Sequence, residues 1–378
     1  MNIEWFSRWP GQVGAALPAG VPVADHVAGW LILVFVQGKF WLMFSLLFGA
    51  GFAVMQSRAE AAGTPFAWPY LRRAALLLVL GVAHAVLLWV GDILHTYALA
   101  ALGLLLFARV GPIGRGVAGG MVFGAVTLGI AASASMYLLN PDLGAGLPTA
   151  DPELVAAGMK ASAIYAHGDF AAVTAQRLRD FTDALDTNFF LVPIALSVFL
   201  LGSALLGGGP LAKPEAHRGF HRAMAFGALP LGIALEAWAA TLSTGVGAEP
   251  TDAEMLAQAL AWTGAPLMTI GYIGVLALAS LHPRLGPWLR DWLAPSGRMA
   301  LTNYLMASVV LSTLFYGYGF GLYGQVSRVG QVGIVLALLV VQVLMSRWWL
   351  ARHRYGPLEW VWRWFTWWRR PAPVAAHP

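Results

Sequence analysis

The chain contains no cysteine, which excludes a thiolate nucleophile, a thiolate-held metal and any disulfide. It is also poor in charge: 11% of its 378 residues are Asp, Glu, Lys or Arg, against about 25% in a soluble domain. No P-loop, dinucleotide fingerprint or Gly-x-Ser-x-Gly elbow occurs, so the chemistries those motifs serve have no support here. Neither a secretory cleavage signal nor an internal repeat is visible. What the chain has in abundance is apolar surface: 58% of residues are hydrophobic and the mean hydropathy is +0.67.

That surface is gathered into runs of roughly 17–25 residues, the length a helix needs to cross about 30 Å of hydrocarbon. The runs are continuous rather than alternating with period two, as a barrel strand requires. The expected fold is all-α, a polytopic helical membrane protein. Nine spans are read, at 40–56, 74–93, 95–107, 116–138, 189–206, 223–242, 261–281, 299–315 and 331–350. The third is short, as a tilted or half-buried helix would be.

Seventeen of the 23 Lys and Arg residues fall in every second gap between these runs. They are Arg58, Arg72 and Arg73; Arg109 and Arg115; Lys213, Arg218 and Arg222; Arg284, Arg290 and Arg298; then Arg347, Arg352, Arg354, Arg363, Arg369 and Arg370. The alternate gaps hold Arg8, Lys39, Lys160, Arg177, Arg179 and Arg328, with acidic residues such as Asp142, Asp151, Glu153, Asp169, Glu249 and Glu254. The positive-inside rule then predicts an external N-terminus and a cytoplasmic C-terminus. Basic residues so placed meet anionic lipid headgroups, and the net charge of +5 calls for no nucleic acid.

Three parts follow. Residues 1–39 form an external or interfacial segment whose run 27–36 is too short to cross. Residues 40–350 form the bundle, with amphipathic stretches 153–166 and 170–185 capping its outer mouth from the loop 140–188. Residues 351–378 form a cytoplasmic tail; from 347 to 370, seven of the 17 Trp alternate with Arg, as in a helix lying among headgroups.

Ionisable groups inside spans are costly and usually face a cavity. The densest set is Gly81, His84, Trp89, Gly91, Asp92, His95 and Tyr97. On one continuous helix Gly81, His84, Leu88, Gly91 and His95 share a stripe, with Asp92 off it. A neutral His84 can act as a general base, with Asp92 and His95 orienting it or the acceptor; the alternative is a histidine bonded to a neighbouring helix and an aspartate organising a turn. Asp-x-x-His supplies half a zinc site with no further ligands nearby, so no metal is assigned. Glu236 is a second buried carboxylate, suited either to proton coupling or to a polar partner; Gln342 is a further intramembrane polar group. Arg72, Arg73 and Arg298, with Asn303 and Tyr304 opening the eighth span, can hold phosphates of a cytosolic donor; topology anchoring and a helix cap account for the same residues.

Several stretches together resemble the YeiB-like family of bacterial polytopic membrane proteins, also known as domain of unknown function 418. They are Gly38-Lys39-Phe40 through Phe44-Ser45-Leu46-Leu47-Phe48-Gly49-Ala50-Gly51-Phe52; Arg72-Arg73, Gly81, His84 and Gly91-Asp92-Ile93-Leu94-His95-x-Tyr97; Pro295-x-Gly297-Arg298-Met299-Ala300-Leu301-Thr302-Asn303-Tyr304; and Arg354-Tyr355-Gly356-Pro357-Leu358-Glu359-Trp360 with Arg363. Lys39, Glu359 and Arg363 enter as motif residues. The resemblance implies a family without an established activity, distantly similar to transmembrane acyltransferases of the heparan glucosaminide acetyltransferase and type 3 kinds. Those move acyl groups from a cytosolic donor to an extracytoplasmic sugar or lipid. It also implies ten spans, the first preceding Met1, with Met1 an internal methionine of a longer product; site roles are therefore not carried over residue by residue.

Three functions stay open. The first is an acyltransferase of the cytoplasmic membrane using acyl-CoA as co-substrate, with no bound cofactor and a sugar or lipid hydroxyl as acceptor. The second is a proton-coupled transporter or flippase using Glu236 and Asp92. The third is a scaffold or sensor built on the outer loop and the Trp-rich tail.

Overall fold

The computed structural model describes residues 2–8, 20–140, 152–243 and 252–368. Among these the chain is helical and contains no strand. A short α1 (Ile3–Ser7) precedes α2 (Val23–Phe35), α3 (Lys39–Ala61), α4 (Ala67–Leu87), α5 (Leu94–Leu104) and α6 (Pro112–Leu139). Two amphipathic helices follow, α7 (Pro152–His167) and α8 (Phe170–Asp183), and then α9 (Asn188–Gly207), α10 (Arg218–Ala223), α11 (Leu229–Leu242) and α12 (Asp252–Ser280). Short α13 (Leu285–Trp288) and α14 (Ala294–Arg298) lead to α15 (Ala300–Phe315), α16 (Arg328–Leu350) and α17 (Pro357–Trp367). Seven helical stretches are long and apolar enough to cross a membrane, and Leu94–Phe107 and Ala300–Phe315 are shorter apolar helices. The chain is a multi-pass helical membrane protein. Arg369, Arg370, Asp142, Asp151 and Glu249 lie outside the described residues.

Each run read from the sequence contains a helix, and two of the differences at the ends bear on the packing. The run 27–36 is part of α2, which turns at Gly38 (φ +81°) directly into α3 and packs on α11 and α16. The second span ends at Leu87 rather than at 93. Two π-helical turns, Met224–Ala228 and Leu289–Leu293, stand just ahead of Pro230 and Pro295. Proline has no N–H for the preceding turn and its ring crowds it, so the ladder widens there.

α4 fixes the two ends of the bundle. Near its start Arg73 lies over the ring of Trp362 on α17, 4.4 Å from the centroid. At its finish the fully buried Arg177 of α8 donates to the Leu87 carbonyl at 2.6 Å, capping carbonyls that have no intrahelical partner. α17 and α8 thus cover opposite ends of a helix about 30 Å long.

The tightest crossing is α3 against α9. A Cβ on Gly49 would strike the Phe199 carbonyl, and one on Gly202 the Leu46 carbonyl. Glycine at both positions brings the two backbones together, as small residues do in lipid, where packing rather than hydrophobicity joins helices. Beside it an aromatic seam runs through Phe44, Phe48, Phe52, Tyr70, Tyr97 and Phe199, with neighbouring centroids 5.0–6.0 Å apart.

α1 and α2 are docked onto α16. The Glu4 carboxylate pairs with Arg328 at 2.6 Å, both buried, and Asp25 accepts from the Val329 N–H at 2.8 Å. Acidic groups at a helix N-terminus satisfy free N–H groups and complement its dipole.

Candidate functional site

After Leu87 the chain does not continue as a helix. It turns through Trp89, Gly91 and Asp92 and starts α5 level with Gly81, where a Cβ would strike the His95 N–H and lie 2.9 Å from Asp92 Oδ2. Only glycine lets the turn lie this close to α4. The continuous stripe expected for Gly81, His84, Leu88, Gly91 and His95 is therefore corrected: the helix is broken, and contact across the turn replaces periodicity along it. The early start also explains why α5 is short.

The turn brings His84 and Asp92 into contact. His84 Nδ1 is 2.8 Å from Asp92 Oδ1, and Asp92 Oδ2 accepts from the His95 backbone N–H at 3.0 Å and from His95 Nδ1 at 3.1 Å. The Tyr304 hydroxyl of α15 donates to Oδ1 at 3.2 Å. Asp92 has no exposed side-chain surface. A carboxylate in such a place is held by hydrogen bonds to its charge, and here four donors converge on it.

An ionised carboxylate only accepts, so both imidazoles turn a protonated Nδ1 to it, and Nε2 is the acceptor nitrogen of the neutral ring. That of His95 is 3.3 Å from Asn188 Nδ2. That of His84 is buried and has no hydrogen-bond partner. The geometry is an aspartate-oriented histidine with a vacant basic nitrogen, the arrangement of a general base. The separation along a continuous helix expected between His84 and Asp92 does not exist. Both imidazoles turn Nδ1 to a single carboxylate, and among the described residues no group of three or more His, Cys, Asp or Glu is disposed to hold a metal.

At the opposite end of α4 lies a cavity of about 630 Å³. Arg58, Arg73, Arg298, Arg354 and Arg363 line it, with Glu359 as its one acidic residue. Glu359 is already engaged, accepting from the Thr302 N–H at 3.0 Å and the Thr302 hydroxyl at 2.6 Å at the start of α15. Five guanidinium groups thus face a space whose carboxylate is spent on capping a helix. Arg73 and Arg363 lie over the rings of Trp362 and Tyr355, 4.4 and 4.5 Å from the centroids, which orients them without neutralising them.

The sequence-derived sets are regrouped by the structure. Arg73 and Arg298 share the cavity with the motif residues Glu359 and Arg363, while Arg72 sits apart between Trp68 and Trp368 at 5.2 and 5.4 Å. Tyr304, grouped with the donor residues, instead reaches Asp92. Asn303 donates to Ser346 Oγ at 3.0 Å and its carbonyl accepts from Gln342 at 2.8 Å, knotting α15 to α16. Glu236 and Lys39 form a buried ion pair at 2.8 Å elsewhere in the bundle. In the sequence Arg58 reads only as a topology anchor and Arg354 as an anchor that opens a motif stretch, and Arg177 and Asn188 carry no signal beyond a polar residue in an amphipathic or span-opening position.

Residues 208–369 match the family model described as a protein of unknown function, DUF418. Bacillus subtilis (strain 168) has a similar protein, uncharacterized protein YxaH, 34% identical over 351 residues that cover 90% of this chain and 82% of the relative. Uncharacterized protein YeiB of Escherichia coli (strain K12) is 29% identical over 349 residues, covering 89% and 84%. An uncharacterized 39.9 kDa protein in the amylase 3' region of Bacillus acidopullulyticus is 26% identical over 350 residues, covering 92% and 85%. No solved structure matches the chain. At 34% identity over 90% of its own length and 82% of the Bacillus subtilis relative, the chain belongs to the DUF418 family.

Proposed function

We propose that this protein transfers an acyl group from a coenzyme A thioester to a hydroxyl of a sugar or lipid across the bacterial cytoplasmic membrane. One observation carries the reading. A single helix, α4, has the arginine cavity at its start and a buried, aspartate-oriented histidine near its finish. Arg73 and His84 are eleven residues apart, about 16 Å along the axis at the α-helical rise. A pantetheine arm is of comparable length, so phosphates held by the arginines place the thioester near the imidazole. The bias of Lys and Arg between alternate gaps supports a cytosolic arginine cavity.

In this scheme the arginines bind the nucleotide phosphates in charge-assisted, bidentate contacts. His84 Nε2 takes the proton of the acceptor hydroxyl as its oxygen attacks the thioester carbonyl. The carbon–sulfur bond breaks, and the proton passes from Nε2 to the departing sulfur. Asp92 holds the tautomer and offsets the imidazolium charge that develops in between. Phe48, Phe52 and Leu77 leave a void of only about 10 Å³ beside Arg73, so the arm enters as those side chains move.

The test is transfer from radiolabelled acetyl-CoA in membranes, paired with coenzyme A binding to the purified protein. His84→Ala should keep binding and lose transfer by roughly 10²-fold or more, as removal of a general base does. Arg298→Ala with Arg363→Ala should weaken binding. Undiminished transfer by His84→Ala would remove the imidazole from the reaction.

A further inference from the structure

A second cavity, of about 570 Å³, lies between α2, α3, α11 and α12. It is bordered by Lys39, at the opposite end of α3 from the arginine cavity's Arg58 and Ala59. Nothing in the acyl-transfer scheme uses it. Its volume is that of a small-molecule site.

The polar groups at its floor are only half satisfied. Lys39 Nζ donates to the Leu33 carbonyl at 2.7 Å and pairs with Glu236 Oε2 at 2.8 Å. Glu236 Oε1 is buried and has no hydrogen-bond partner, although the residue is 3% exposed. A carboxylate oxygen in such a place calls for a donor. Pro266 adds another acceptor, because it has no N–H to give to the Trp262 carbonyl one turn back, and both residues line the cavity.

Charge selects the donor. The ionisable lining residues are Lys39, Glu236 and Glu254, one positive and two negative. The lysine is already occupied by Glu236 and a carbonyl, so an anionic headgroup finds two carboxylates and an engaged cation. An ammonium group finds the open oxygen of Glu236 and the indoles of Trp41 and Trp262, which favour cations. Gln37, Ser243 and Gln258 are the other polar residues of the lining, and the rest of the wall is apolar. We propose that this cavity binds an amphiphile bearing a primary ammonium group, with the ammonium at Glu236 Oε1 and the apolar portion along Trp41 and Trp262.

The probes are n-dodecylamine, ethanolamine and dodecanol, added to the purified full-length chain in dodecyl maltoside at neutral pH. Binding is read from the concentration dependence of the unfolding midpoint. Dodecylamine should raise the midpoint. Ala261→Phe, which fills the cavity and leaves the ion pair intact, should abolish that rise; Glu236→Gln should weaken it about tenfold. Binding of dodecylamine without ethanolamine supports an amphiphile, and ethanolamine binding as tightly as dodecylamine overturns it. Equal stabilisation by dodecanol, or a full response to dodecylamine in Ala261→Phe, overturns the proposal. The readout involves no acyl transfer, so it stands or falls apart from the His84 reaction.

Discussion

His84 and Asp92 are joined at 2.8 Å across a turn that interrupts two apolar helices, and the imidazole's outer nitrogen is left without a partner. The pair exists because α4 stops at Leu87 and α5 begins beside Gly81. An apolar stretch that simply continued as a helix would have separated the two side chains.

Asp92→Asn should leave the fold in place and disable the base. The amide still accepts from the His95 N–H, but it no longer fixes the His84 tautomer or offsets an imidazolium. Transfer should fall by roughly 10³–10⁴-fold, on the scale of the same change in a serine-protease triad. The unfolding midpoint in detergent is the control; a collapse of that midpoint with transfer lost in proportion would make Asp92 structural.

Removing one member of the Lys39–Glu236 pair should cost more than removing both. Lys39→Met leaves a buried carboxylate uncompensated and should destabilise by about 3–5 kcal/mol, whereas Lys39→Met with Glu236→Met should recover most of that loss. Denaturant unfolding of the three proteins measures it. A double variant no more stable than Lys39→Met alone would show that the two groups do not act as a pair.

Gly202→Ala and Gly49→Ala should loosen the α3–α9 crossing, since each methyl meets a backbone carbonyl that cannot step aside. Overpacking of this kind costs about 1–3 kcal/mol. Gly124→Ala on α6 is the matched control: no atom stands within 4 Å of its Cβ, and alanine is the better helix former by about 1 kcal/mol. Its stability should hold or rise.

Donor binding at the arginine cavity should weaken with salt. Arg58, Arg298, Arg354 and Arg363 are exposed, and exposed charges are screened over about 10 Å at 0.1 M ionic strength. Coenzyme A affinity measured from 0.05 to 0.5 M salt should fall steadily, and dephospho-coenzyme A should show a shallower slope. A salt-independent affinity would place the ligand elsewhere.

The absence of cysteine makes the orientation directly testable. A single cysteine at Asp186, before α9, should react with an impermeant maleimide in intact cells. One at Glu215, in the arginine-rich gap after α9, should react only once the membrane is opened. The reverse pattern would invert the bundle and with it the proposed donor and acceptor sides.

The spans and the basic gaps were legible in the sequence because both are local. A run of apolar residues forms a helix in lipid whatever its neighbours do, since every backbone group must be satisfied within the segment. Clustered arginines are equally visible one gap at a time. The tertiary structure decided which of these residues meet. Glu359 and Arg363 on α17 share a cavity with Arg73 on α4 and Arg58 on α3 only because the tail helix folds back onto the bundle. Lys39 finds Glu236, 197 positions further on, because α2, α3, α11 and α12 close around one cavity. Hydropathy is a sum over neighbours in the chain, whereas a site depends on distances between segments, and those are set by packing such as the contact of two glycine-lined backbones.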